Sequence, residues 1–167
     1  MGNVRYMDHK FYMKEALKRA KAAYKDGETP VGAVIVKDGK VIASGRNYRE
    51  KRKNALCHAE IVAINRACKR LGSWRLADCD IYVTLEPCPM CAGAIINSRI
   101  RRVVYGASDG KAGSFGSLTD LSAIPYNHKP EIVGGVMEKE CGGILTEFFK
   151  ELRIIKKKNK QSEEENK

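Results

Sequence analysis

Apolar positions recur along the chain with two different periods, and the switches between them mark out the elements. In residues 9–24, Met13, Ala16, Leu17, Ala20, Ala23 and Tyr24 return every three or four positions, which builds one helix face. Asp8 is placed to cap that helix and Gly27 to end it. "PVGAVIVKDGKVIASG", residues 30–45, predicts a β-hairpin, because two β-branched runs flank the turn pair Asp38-Gly39. A polar, basic loop follows at 46–55. Residues 58–70 return to the helical period, with Ile61, Ile64 and Cys68 on one side.

"CDIYVTLE", residues 79–86, is a near-continuous apolar run and predicts a buried strand. Pro89 can occupy the first turn of a helix reaching about residue 98. "RRVVYG" is a further strand, and the Gly- and Ser-rich stretch 107–118 a loop. "EIVGGVME", residues 131–138, is a weaker strand, since its two glycines cost packing. A last helix starts near Glu138, with Cys141, Ile144, Leu145, Phe148 and Leu152 as its apolar face. "KKKNKQSEEENK", residues 156–167, has no apolar residue and is expected to be a disordered tail. Strands alternating with helices predict an α/β fold, a sheet covered on both faces, in one domain spanning 1–155.

Composition narrows this picture. A chain of 167 residues can bury roughly 70% of its unfolded surface, and 43% of its residues are apolar, so a core needs no disulfide staples. No apolar run approaches the ~20 residues of a membrane span, so no membrane partner is expected. The start lacks a secretory h-region, and Tyr6 breaks the myristoylation pattern. Six cysteines without a secretory signal point to metal or catalytic use and to a cytoplasmic protein. The net charge of +11 is clustered at Arg49, Lys51, Arg52 and Lys53, at Arg99, Arg101 and Arg102, and at Lys156, Lys157, Lys158 and Lys160. Such clusters are the footprint of nucleic-acid binding, although charge also serves plain solubility.

Two separated stretches carry candidate chemistry. "LCHAEIVAINRACKR" contains His58 and Glu60, and "TLEPCPMCAGAI" contains Cys88 and Cys91. A single C-x-x-C can be a redox pair or half of a zinc ribbon, and a single His is commonly structural. There is no second C-x-x-C, so a closed four-thiolate site is excluded. Two thiolates and one imidazole make three ligands, and three ligands with one open position is the pattern of a catalytic zinc. Cys88 and Cys91 begin one predicted helix and His58 another, and the positive end of a helix favours thiolates. Glu60 lies two residues from His58, so its side chain points elsewhere and belongs beside the ion as a proton carrier. H-x-E followed by P-C-x-x-C is the known signature of zinc nucleobase deaminases.

"PVGAVIV", "HAEI", "YVTLEPCPMCAGAI", "RVVYGA" and "GSLTDL" together resemble the bacterial tRNA-specific adenosine deaminase family, from about Phe11 to Arg153. The metal motif is common to the cytidine deaminase superfamily; the flanking blocks carry the resemblance to the tRNA enzymes. The resemblance implies a three-layer α-β-α, cytidine deaminase-like fold with a central five-stranded mixed sheet, and a homodimer. It implies conversion of the wobble adenosine of a tRNA anticodon to inosine. His58, Cys88 and Cys91 would bind one Zn2+ per chain, and Glu60 would shuttle protons for a zinc-activated water. Asn47 falls where the family hydrogen-bonds the purine. Pro30, Val31 and Leu85 fall in blocks that wall the base pocket, and Asp109 and Lys111 in a loop facing the flanking nucleotides. Phe148, Phe149 and Arg153 lie on the terminal helix near the tRNA anticodon stem-loop. Adjacent Phe148 and Phe149 cannot both face the core, so one points outward, for base stacking or a dimer contact.

Three positions depart from the family pattern. Cys57 replaces a small or apolar residue, Phe115 a smaller one, and residues 121–130 form an unusual segment. The last two bear on the choice of substrate. Two other readings stand beside the tRNA enzyme. One is the same chemistry on a free nucleobase or nucleoside, which would need no basic surface. The other is a zinc-stabilised RNA-binding module, which would have no use for Glu60.

Overall fold

The computed structural model describes residues 8–165. The elements are α1 (His9–Lys25), β1 (Gly32–Lys37), β2 (Lys40–Arg46), α2 (Arg49–Arg52), α3 (Ala59–Leu71), β3 (Cys79–Leu85), α4 (Pro89–Asn97), β4 (Arg102–Ala107), a 3-10 turn (Leu121–Ala123), β5 (Glu131–Val133) and α5 (Glu138–Glu165). The five strands form one mixed sheet in the order β2-β1-β3-β4-β5. β1 is antiparallel to both β2 and β3, whereas β3, β4 and β5 run parallel. The hairpin turn has positive φ at both Asp38 and Gly39, which matches the right-handed twist of its strands.

Alternate residues of β1, β3 and β4 feed two cores. Ala33, Ile35, Ile81, Val83, Val103 and Tyr105 pack under α3 and α4 with Ala59, Ala63, Ala67, Ala92 and Ile95. Val34, Val36, Tyr82 and Val104 pack under α1 and α5 with Tyr12, Met13, Ala16, Leu17 and Cys141. The result is the expected three-layer α-β-α arrangement. One close approach positions the site. A Cβ at Gly45 of β2 would overlap the Ala59 carbonyl and the Ala63 amide, so only glycine lets α3 lie directly on the hairpin. Arg66 and Arg70 of α3 donate to the Ser44 and Ile42 carbonyls at 2.8 and 2.9 Å and fasten the helix along the same edge.

Four expectations differ from the structure. The 46–55 loop contains α2, because the buried Glu28 carboxylate accepts from the Glu50 and Lys51 amides at 3.2 and 2.8 Å. The buried face of α3 is Ala59, Val62, Ala63, Ile64 and Ala67; small alanines hide better against the sheet than Ile61 and Cys68, which are only half-buried. β5 stops at Val133, because Gly134 lies against the Tyr105 ring and Gly135 takes φ +83°. The segment from 156 is helical to Glu165, not disordered. Its Lys, Gln and Glu residues favour a helix, and Lys160 lies 4.0 Å from Glu164 one turn on.

Candidate active site

Two helix starts meet at the carboxyl end of β3. His58 is the N-cap residue of α3 and Cys88 that of α4, with Pro89 in the first turn and Cys91 following. The His58 Nδ1 lies 3.6 Å from Cys88 Sγ and 3.6 Å from Cys91 Sγ. These three residues form a group whose ligand atoms all lie within 4.8 Å of one another. A tetrahedral zinc with ordinary Zn–S and Zn–N bonds would separate sulfur from nitrogen by about 3.6 Å, so the donor set fits that ion in type and spacing. The charges agree. A hydrogen bond from Cys91 brings the Cys88 thiol down to about 4, while that bond and burial push Cys91 up. The bond to Cys88 also raises His58. Cys88 is thus favoured as the thiolate that a metal ion binds, with Cys91 as its hydrogen-bond donor.

Glu60 is 4% exposed and stands outside the three-ligand set, in hydrogen-bond contact with Cys91. Burial, assisted by the Cys88 charge, pushes its carboxyl up to about 7. A carboxyl that exchanges its proton near neutrality is suited to general acid–base work.

Asn47 buttresses this floor. Its Oδ1 accepts from the Ala59 amide at 3.0 Å, and its Nδ2 donates to the Thr29 carbonyl at 2.9 Å. It therefore holds the start of α3, next to His58, against the segment before β1. Glu86 does the same for the other wall. It is 2% exposed and accepts from the amides of Asp109, Phe115 and Ser117 at 3.0, 3.0 and 3.1 Å. Burial alone would raise this carboxyl; the hydrogen bonds from Ser117, Asp109 and Phe115 outweigh it and hold it below the usual carboxylate range. The 107–118 loop is thereby pinned, and Asp109 Oδ1 accepts in turn from the Lys111 amide at 2.9 Å.

Over the floor lies a cavity of about 630 Å³. Val31, Asn47, Leu85, Asp109, Lys111 and Phe149 line it together with His58, Glu60 and Cys88. Pro30 is buried and Arg153 exposed, and neither lines it. Phe148 is 8% exposed and packs edge-on against Tyr24, whereas Phe149 is 41% exposed and turns to the cavity. Of the departures, Phe115 is buried in the core under α4, and Leu121 packs on the same core, so neither shapes the cavity. Cys57 is half-buried beside a separate groove with Leu56 and Ile61. Sequence reasoning overlooked Thr29, Arg49, Glu86, Ser108 and Leu145 as lining residues. Glu86 left one signal, an acid closing the apolar run of β3.

The MafB19-like deaminase family model matches residues 7–153. The chain is 53% identical to a tRNA-specific adenosine deaminase of Bacillus subtilis over 147 residues, covering 87% of this chain and 91% of that protein. It is 48% identical to a tRNA-specific adenosine deaminase of Rickettsia typhi, covering 84% and 97%. Among solved structures, a protein from a study of A-to-I editing by tRNA:A34 deaminases at the wobble position superposes with a TM-score of 0.79 at 44% identity, covering 81% of this chain and 99% of that one. A guanine deaminase from Bacillus subtilis superposes with a TM-score of 0.59 at 33% identity, covering 72% and 88%. No helix among the described residues is long and apolar enough to cross a membrane.

Proposed function

This chain belongs to the tRNA-specific adenosine deaminase family, and from that premise we propose that it hydrolyses the wobble adenosine of a tRNA anticodon to inosine. One observation carries the reading: a buried carboxyl, Glu60, beside a His58–Cys88–Cys91 donor set at the bottom of an open cavity.

His58, Cys88 and Cys91 would hold one Zn2+ per chain. A bound zinc supplies the Lewis acidity that brings the pKa of water from ~15.7 to ~7. Glu60 accepts a proton from the attacking water, delivers one to the purine N1, and serves the departing amine. A C6–O bond forms, the C6–N bond breaks, and ammonia leaves. Val31 and Leu85 bracket the base, while Asn47 keeps α3 in place and has a second Nδ2 hydrogen left for the purine. Asp109, Lys111 and Phe149 meet the neighbouring nucleotides at the rim, with Arg153 one turn further along α5. An extruded base loses stacking in the RNA, at a cost of a few kcal/mol, and regains contact in such a pocket.

We further propose a cytoplasmic homodimer, one catalytic domain per chain. The exposed Leu118, Ile124 and Tyr126 offer apolar area for the contact between copies.

The test is incubation of the purified protein with total tRNA and, separately, with free nucleosides and bases. Inosine at position 34 and equimolar ammonia are expected from tRNA. Efficient release of ammonia from a free base, with no inosine in tRNA, would replace this reading by that of a small-molecule deaminase.

A further inference from the structure

Glu86 lines the cavity two residues before Cys88, and the reaction steps above do not use it. A carboxylate has two oxygens and about four acceptor sites. In Glu86 they are occupied. Oε2 accepts from the Asp109 amide at 3.0 Å, Oε1 accepts from the Phe115 and Ser117 amides at 3.0 and 3.1 Å, and the Ser117 hydroxyl bonds the same carboxylate. The buried side chain therefore has no site left to offer a substrate atom. What it holds is the loop that brings Asp109 and Lys111 to the rim. The loop is shaped for this carboxylate. A Cβ on Gly113 would overlap Oε2 and Cδ of Glu86 as well as the Asp109 carbonyl oxygen, so only glycine lets the loop close over it. The flanking backbone fastens on at the same place. The Glu86 amide donates to the Ala107 carbonyl at 2.8 Å, and the Ser114 amide donates to the Pro87 carbonyl at 3.0 Å. The Phe115 ring is buried in the core.

We infer that Glu86 is a positioning residue for the substrate: its carboxylate, clasped by Gly113, sets the Asp109–Lys111 rim at a fixed height over the His58–Cys88–Cys91 floor, and so selects an adenosine that brings its neighbouring nucleotides. The inference rests on the tRNA reading above. Its physical basis is the short path between the two regions. Glu86, Pro87 and Cys88 are consecutive, so three residues carry both the anchor of the rim and a ligand of the floor. A free base fills the floor without needing the rim, whereas an RNA loop has to meet both. Contacts made equally in the bound complex and in the transition state act on KM and leave kcat alone. Glu86 thus governs how RNA is held, and bond making stays with Glu60.

The experiment measures KM and kcat on an anticodon hairpin with adenosine at position 34, together with zinc content, melting temperature and backbone hydrogen exchange of residues 107–118. It compares the unmodified chain with Glu86→Gln, Gly113→Ala and Asp80→Asn. Glu86→Gln keeps the shape but turns an NH2 group, which cannot accept, toward one arm of the clasp. Gly113→Ala opens the clasp from the loop side. Asp80 is a buried carboxylate at the far end of β3, held by Arg101 at 3.0 Å, so its variant is the control for lost stability. Both clasp variants should keep zinc and kcat, raise KM about tenfold, and exchange faster in 107–118. Asp80→Asn should melt lower and change neither KM nor loop exchange. A fall in kcat at unchanged KM would put Glu86 in the chemistry, and loss of zinc would make it a support of Cys88; either result overturns the proposal. So does a KM rise without faster loop exchange, or an equal KM rise in Asp80→Asn. If Glu86→Gln does not fold, Gly113→Ala decides. If the unmodified chain forms no inosine in the hairpin, the substrate reading itself fails and takes this proposal with it. Inosine formed with unchanged KM in the clasp variants sinks the positioning role alone.

Discussion

The floor of the cavity and its rim are built in opposite ways. The floor consists of buried and half-buried groups at helix starts and beside them, each held by another part of the chain: half-buried His58 facing two sulfurs, Glu60 at 4% exposure, and Asn47 tying Ala59 to Thr29. The rim consists of exposed side chains on a loop and on the last helix, such as Lys111 and the 41% exposed Phe149. Bond making needs atoms fixed within tenths of an ångström, whereas holding a flexible RNA needs area and charge. The same difference predicts what each region loses when altered. Changes in the floor should cost stability, metal or rate on every substrate. Changes in the rim should cost affinity for RNA alone.

The largest effect is expected from Cys88→Ala with Cys91→Ala. Metal content and inosine formation should both drop to background, because one imidazole cannot hold the ion. Metal analysis by mass spectrometry checks this, and full zinc retention would show that the ligands lie elsewhere. Asn47→Ala comes next. It removes the acceptor for the Ala59 amide as well as a polar group from the base pocket, so a loss of about 2 kcal/mol is expected in turnover of every purine substrate. The melting temperature should fall too, and an unchanged melting curve would deny Asn47 its part in holding α3.

Phe149→Ala should leave melting and metal content unchanged and raise KM for tRNA by about tenfold, the cost of one lost base–aromatic stack. An equal rise for a free nucleoside would move Phe149 from rim to floor. The smallest effect is expected from Lys111→Ala, well under 1 kcal/mol at physiological salt and smaller still at higher salt, as for any exposed charge. Titrating tRNA binding against salt measures it, and a salt-independent loss would mean a specific contact in place of a screened one.

The sequence was legible where one physical rule dominated. Alternating residues on β1, β3 and β4 announced a sheet with two packed faces, and Asp38-Gly39 announced the turn. Two helix starts with His58 and with Cys88 and Cys91 announced the donor set, since that chemistry is local to short motifs. It was less legible where packing chose among equivalents. Ile61 looked more buried than Ala63, but contact with Gly45 favours the smaller residue. The last turns of α5 gave no apolar signal, so their helical state rests on propensity and charge pairing. Glu28 and Glu86 escaped notice because an acid that accepts backbone amides from a distant loop has no periodicity to betray it. Phe115 and residues 121–130 differed from the family and invited a substrate role, yet Phe115 and Leu121 serve the core.

The division of labour rests on Glu60, the floor residue given chemistry without metal ligation. Glu60→Gln keeps the shape of the side chain and removes its ability to accept a proton. Zinc content and single-turnover inosine formation in tRNA should be measured on the same preparation. The expected result is one zinc per chain, unchanged tRNA affinity, and a rate lower by ~10²–10⁴. Retention of a tenth of the unmodified rate, or loss of the zinc along with the activity, would contradict the assignment of Glu60 as the proton shuttle.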